Sequence, residues 1–96
     1  MRVEAELDHT AMVTEGRRLE ATSIERLRQA ERQGACTDEE LRAARDLVLE
    51  LSRRQDRLAT LQHASEGERW HAFALVVTLA RRLDEGLAGC SPSPRP

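Results

Sequence analysis

Glu68 and His71 stand three residues apart, the spacing with which helical di-metal proteins offer a carboxylate and an imidazole to one ion. That chemistry needs further carboxylates from other helices, and no second Glu-x-x-His occurs in the chain. The competing reading is a solvated helix edge whose neighbours, Trp70 and Phe73, pack against other apolar groups. His63 and His71 span a helix break, and His9 lies near the chain start, so no two histidines make the i,i+4 pair of a zinc-binding helix. Serines and threonines occur without a histidine and a carboxylate at spacings that suggest a nucleophilic triad. A small helical enzyme acting on a dianion needs cations converging inside the bundle. Here the arginines fall on, or can reach, the solvent face, with Arg17 and Arg18 nearest to the apolar stripe. The expectation is therefore a protein that is not an enzyme, with no catalytic residue, no metal ligand and no cofactor. A small helical enzyme or metal-binding protein built around Glu68 and His71 is the alternative.

Composition narrows the partners. The net charge of −2 is spread along the chain, and no segment has the basic excess that coats a phosphate backbone, so nucleic acid is not an expected partner. All fifteen cations are Arg. A GC-rich coding sequence accounts for that bias, although guanidinium forks also suit carboxylate or phosphate recognition. The first residues lack the basic start and apolar run of a signal peptide, and the longest uncharged stretch before the tail, residues 70–80, is about half of what a membrane span requires. A soluble cytoplasmic protein with no membrane span is expected, and in that setting Cys36 and Cys90 are expected as free thiols.

The elements that position these residues are helices. Aromatic residues make up only 2% of the chain, so the core must be built from Leu, Ala, Val and Ile, and all three prolines lie at or beyond position 92. Two capping boxes divide the chain: Thr37-Asp38-Glu39-Glu40 and Ser65-Glu66-Gly67-Glu68, each a hydroxyl followed three residues later by a carboxylate. They predict a three-helix, up-down-up, all-α bundle within a single domain at residues 1–90, with a flexible tail at 91–96.

Helix 1 is expected to start between positions 2 and 10 and to end near 33, with an inward stripe of Met12, Val13, Gly16, Leu19, Ile24, Leu27 and Ala30. Gly16 and Ser23 make the stripe thin, and the segment with Val3, Ala5 and Leu7 is expected to fray. Gly34 suits a left-handed helix stop. Helix 2 is expected over about 38–63, with a seam of Leu41, Ala44, Val48, Leu51, Gln55, Leu58 and Gln62. Helix 3 is expected from 66 to about 88. It is apolar almost all round over 72–80: Trp70, Phe73, Val76, Val77, Ala80, Leu83 and Leu87 form one face, and Ala72, Leu75 and Leu79 a second. Gly67 is the one strong breaker between helices 2 and 3. A continuous helix there would run about 75 Å. The Ser91-to-Pro96 tail reads as extended and mobile. In an up-down-up bundle the first turn and the end of helix 3 share a pole, which would make Cys36 and Cys90 neighbours, able to pair under oxidation.

Residues 29–61 join a polar helix, the turn Gly34-Ala35-Cys36, an acidic helix start at Thr37–Glu40 and a Leu- and Gln-bearing amphipathic helix. This third of the chain resembles the small helical-hairpin co-chaperones of type III secretion systems. The resemblance implies sequestration, in which apolar helix faces keep a self-assembling needle subunit soluble before export, and it carries over no catalytic residues. Those co-chaperones are essentially two helices, so the strongly apolar third helix is a departure.

A helix apolar on every side wants neighbours on every side, so one face of helix 3 is expected to meet a partner. The expected surface is Trp70, Phe73, Leu75 and Leu79 with Leu49 on helix 2. The expected partner is another protein, a helical subunit or chaperone, or a second copy in a homodimeric structural bundle. The opposing reading has helices 1 and 2 splaying to sandwich helix 3.

Overall fold

The computed structural model describes residues 8–90, which form α1 (His9–Gln33), α2 (Asp38–Ala59) and α3 (Glu66–Ala88), with no strand among the described residues. All three helix pairs pack together, giving the up-down-up bundle expected from the two capping boxes. The expectations for Val3, Ala5 and Leu7 and for the tail fall outside the described residues.

Each boundary has a local chemical cause. The Asp8 carboxylate accepts the Ala11 N–H at 2.9 Å and starts α1. Gly34 ends it with φ of +66°, a left-handed conformation that glycine adopts without a Cβ penalty, and its N–H donates to Ala30 O at 3.1 Å. Both capping boxes are complete. Thr37 Oγ1 accepts the Glu40 N–H at 3.1 Å while Glu40 Oε1 accepts the Thr37 N–H at 2.7 Å. Ser65 and Glu68 repeat the exchange at 3.1 and 3.2 Å. In the first turn of α2, Asp38, Glu39 and Glu40 oppose the positive end of the helix dipole.

Two expectations are corrected. First, α2 stops at Ala59, about a turn before position 63. The chain tightens there. Thr60 N and Leu61 N donate to carbonyls three residues back, and Thr60 Oγ1 donates to Arg57 O at 2.7 Å. The break between α2 and α3 therefore lies in residues 60–65, and Gly67 sits within the first turn of α3. Arg69 closes the connection, donating through Nη1 to Ala64 O at 2.6 Å and Gln62 O at 3.4 Å. Second, Cys36 and Cys90 are a disulfide with a Cα–Cα distance of 4.8 Å, closing a separation of 54 residues. The up-down-up path brings the α1–α2 turn to the end of α3, and the expectation of free thiols gives way to that proximity.

The core is two stacked clusters. The larger joins Met12 of α1, Leu51 and Leu58 of α2, and Ala72, Val76, Leu79 and Ala80 of α3. The smaller joins Leu27, Ala44 and Leu83 nearer the disulfide pole. Two polar side chains, Ser23 and Gln55, are buried in the bundle. Gln55 is 0% exposed, and its Nε2 donates to Val13 O at 3.0 Å. It fits because residue 16 is glycine: a Cβ there would stand 1.9 Å from Gln55 Oε1. At the α1 start, His9 Nε2 lies 2.7 Å from Leu58 O; the carbonyl can only accept, so Nε2 carries the proton. Cross-helix ion pairs, Arg26–Asp84 at 2.6 Å and Arg45–Glu31 at 3.0 Å, are exposed and worth little individually.

Candidate functional site: the α2–α3 groove

α1 covers one side of the α2–α3 pair and leaves a groove between those helices on the other. Running antiparallel from the 60–65 connection, α2 and α3 bring Arg54, Arg57 and Leu61 opposite Gly67, Glu68, His71, Ala72 and Leu75. These residues line an open cavity of about 400 Å³. A smaller cavity of about 270 Å³ lies between the same helices nearer the other pole, lined by Glu40, Ala43, Ala44, Leu47, Leu83 and Gly86. Within each cavity the residues recur about every three or four positions, and the two lie along the same α2–α3 seam, separated by residues 48–53 and 76–82; the first has an apolar floor and a charged rim. The spacing of those rows suits a helix laid along the groove.

The rim is not neutral at every point. Glu50 accepts from Arg53 at 2.9 Å and from Arg54 at 2.7 Å, so one carboxylate serves two guanidinium groups. Arg57 has no ion pair among the described residues. The Glu68 carboxylate is held by the α3 cap, and no third ligating group joins Glu68 and His71 among the described residues. The i,i+3 pair thus sits in the groove as a cap and a rim residue. Arg17 and Arg18, the cations nearest the α1 stripe, engage Glu20 and Glu15 on their own helix. The hydrogen bonds from Arg18 hold the exposed Glu15 carboxyl below its ordinary range.

The five residues expected to form one surface do not lie together. Leu75 lines the groove. Leu79 is only 8% exposed and belongs to the larger core cluster, since α1 and α2 both close over that part of α3. Phe73 is half-buried against the same cluster. Trp70, 36% exposed, meets the Phe73 ring edge-on at 6.0 Å, and neither ring lines the groove. Leu49 is 56% exposed and lies about 140° around α2 from Arg54, away from the groove. What sequence reasoning missed is the α2 wall, Arg54, Arg57 and Leu61. The turn at 60–65 sets that wall by pairing 61 with 67–68 and 54 with 71–75, and no Gly or Pro at the end of α2 announces where it falls.

No helix among the described residues is long and apolar enough to cross a membrane. No family model matches the chain, and comparison with curated proteins and with solved structures gives no match either.

Proposed function

We propose that this chain is a non-enzymatic protein-binding module that receives an amphipathic helix of a partner protein in the α2–α3 groove. The observation that carries this reading is the open cleft itself. α3 is apolar almost all round, two helices cover only part of it, and Leu61, Ala72 and Leu75 floor a cavity of about 400 Å³ on the uncovered side. The fitting segment carries apolar residues at i, i+3/i+4 and i+7, with a carboxylate at its edge to meet Arg57. In the cytoplasm such binding would act by sequestration, as the resemblance over residues 29–61 implies, by covering the helix face through which a subunit assembles.

The test uses a panel of amphipathic helical peptides, with and without an acidic edge, titrated against the full chain alongside its solution mass over a dilution series. Saturable binding that is lost in a Leu61→Gln, Leu75→Gln variant of unchanged helicity is the expected result. Both leucines are half-buried rim-floor residues rather than members of the fully buried core, so the bundle should survive their replacement. A stable dimer dissolved by the same two substitutions would make a second copy the occupant. A monomer that binds no peptide would end the reading.

A further inference from the structure

We propose that Cys36, Cys90 and Glu40 form a redox-gated site for one zinc-type divalent cation, filled when the two cysteines are reduced and closed when they are paired. This does not rest on the α2–α3 groove reading.

Three separate parts of the chain supply the donors: the α1–α2 turn, the first turn of α2 and the residue beyond the α3 cap. Their ligating atoms all lie within 4.8 Å of one another, the one such convergence of three His, Cys, Asp or Glu groups found among the described residues. Cys90 Sγ is 3.5 Å from Glu40 Oε1. Two sulfurs and a carboxylate are the donor set of a borderline-soft cation. Magnesium and calcium prefer all-oxygen shells. Three protein ligands leave a fourth tetrahedral position for water, and Glu40 is exposed, so the site has an open side.

Backbone contacts at each donor add to the S–S bond in setting this arrangement. Cys36 is fixed between the left-handed Gly34 and the cap residue Thr37. Cys90, only 5% exposed, is anchored by its N–H to Leu87 O at 3.0 Å. Glu40 is anchored by the capping box through Oε1, the same oxygen that lies 3.5 Å from Cys90 Sγ.

The chemistry balances. A dithiol reductant attacks the disulfide, passes two electrons and two protons to the cysteine sulfurs, and leaves as its own disulfide. The cation then binds both sulfurs and displaces their two protons to solvent. Disulfide and metal both tie the α1–α2 turn to the end of α3. Only the reduced, metal-free chain lacks a tie at that pole.

The experiment titrates the full chain, stripped of metal, with Zn²⁺ in its oxidised form and after reduction with a non-thiol phosphine, and repeats the titration with Co²⁺. Expected are one ion per reduced chain, none per oxidised chain, and a sulfur-to-cobalt charge-transfer band. Cys36→Ser should abolish binding. Glu40→Gln separates ligand from cap, because glutamine also serves at the fourth position of a capping box. Loss of an outer-shell partner alone costs about 10–100-fold in affinity, so losing this ligand should weaken binding at least about tenfold. No ion on the reduced chain, equal binding by the oxidised chain, or unchanged affinity in Glu40→Gln would each overturn the proposal.

Discussion

Gly16 shows how far a residue's meaning can lie from its neighbourhood. Within helix 1 it reads as a weak point, since glycine in a helix interior costs about 1 kcal/mol relative to alanine. Its purpose lies 39 positions away in Gln55, whose buried amide passes where a Cβ would stand. Gly16→Ala should gain helix propensity yet lose stability, because the buried Gln55 amide must shift away from the new Cβ and give up its bond to Val13 O. A net loss of about 1–3 kcal/mol is expected, the usual cost of overpacking. Chemical denaturation of the two single variants and of Gly16→Ala with Gln55→Ala checks it. The cost of Gly16→Ala should shrink once Gln55 is gone, and an equal cost in both backgrounds would sink the explanation. Sequence alone marks Gln55 as a seam position and Gly16 as a gap. Nothing local says that the one fills the other.

Element boundaries were legible to the extent that their causes are local. The capping boxes depend on residues three apart, and the Gly34 stop on one backbone dihedral, so all three could be read along the chain. The α2 stop could not, because Thr60 and the tightening at Leu61 end the helix without a Gly or Pro to announce it. That one-turn difference matters to the groove, since the turn sets which residues of α2 face α3. It also explains why Leu75 was found and the α2 wall was not: the stripe on one helix is periodic, but its register against the next is a tertiary fact. Leu79 illustrates the same limit, as its place on a second apolar face could not reveal that α1 and α2 both cover it. For the caps the expectation is quantitative. Thr37→Ala should lower stability by about 1 kcal/mol, and Thr37→Ser should restore most of it, because the hydroxyl rather than the methyl receives the Glu40 N–H. Thermal or urea midpoints of the pair decide the matter; equal losses in both variants would mean the methyl group packs and the cap contributes little.

At the scale of the whole molecule, α2 and α3 are joined at both ends. The 60–65 connection, clamped by Arg69, closes one pole, and the Cys36–Cys90 disulfide draws the α1–α2 turn onto the end of α3 at the other. The smaller cluster of Leu27, Ala44 and Leu83 lies nearer that second pole and has few large members. A covalent tie therefore acts where apolar packing is thinnest. Closing a loop of this length restricts the unfolded chain by about 4 kcal/mol in the chain-entropy model, between the values for short and for hundred-residue loops. Reduction in the presence of a chelator should lower the unfolding free energy by about 3–4 kcal/mol, a large share of what a domain of this size possesses. Because the larger cluster does not involve either cysteine, the reduced chain should remain helical at low temperature and unfold at lower denaturant. Circular dichroism of oxidised and reduced chelated samples through a urea series tests this. Loss of helix on reduction without denaturant would mean that the apolar clusters alone do not hold the three helices together, and an unchanged midpoint would mean that the unfolded chain already keeps its two ends close.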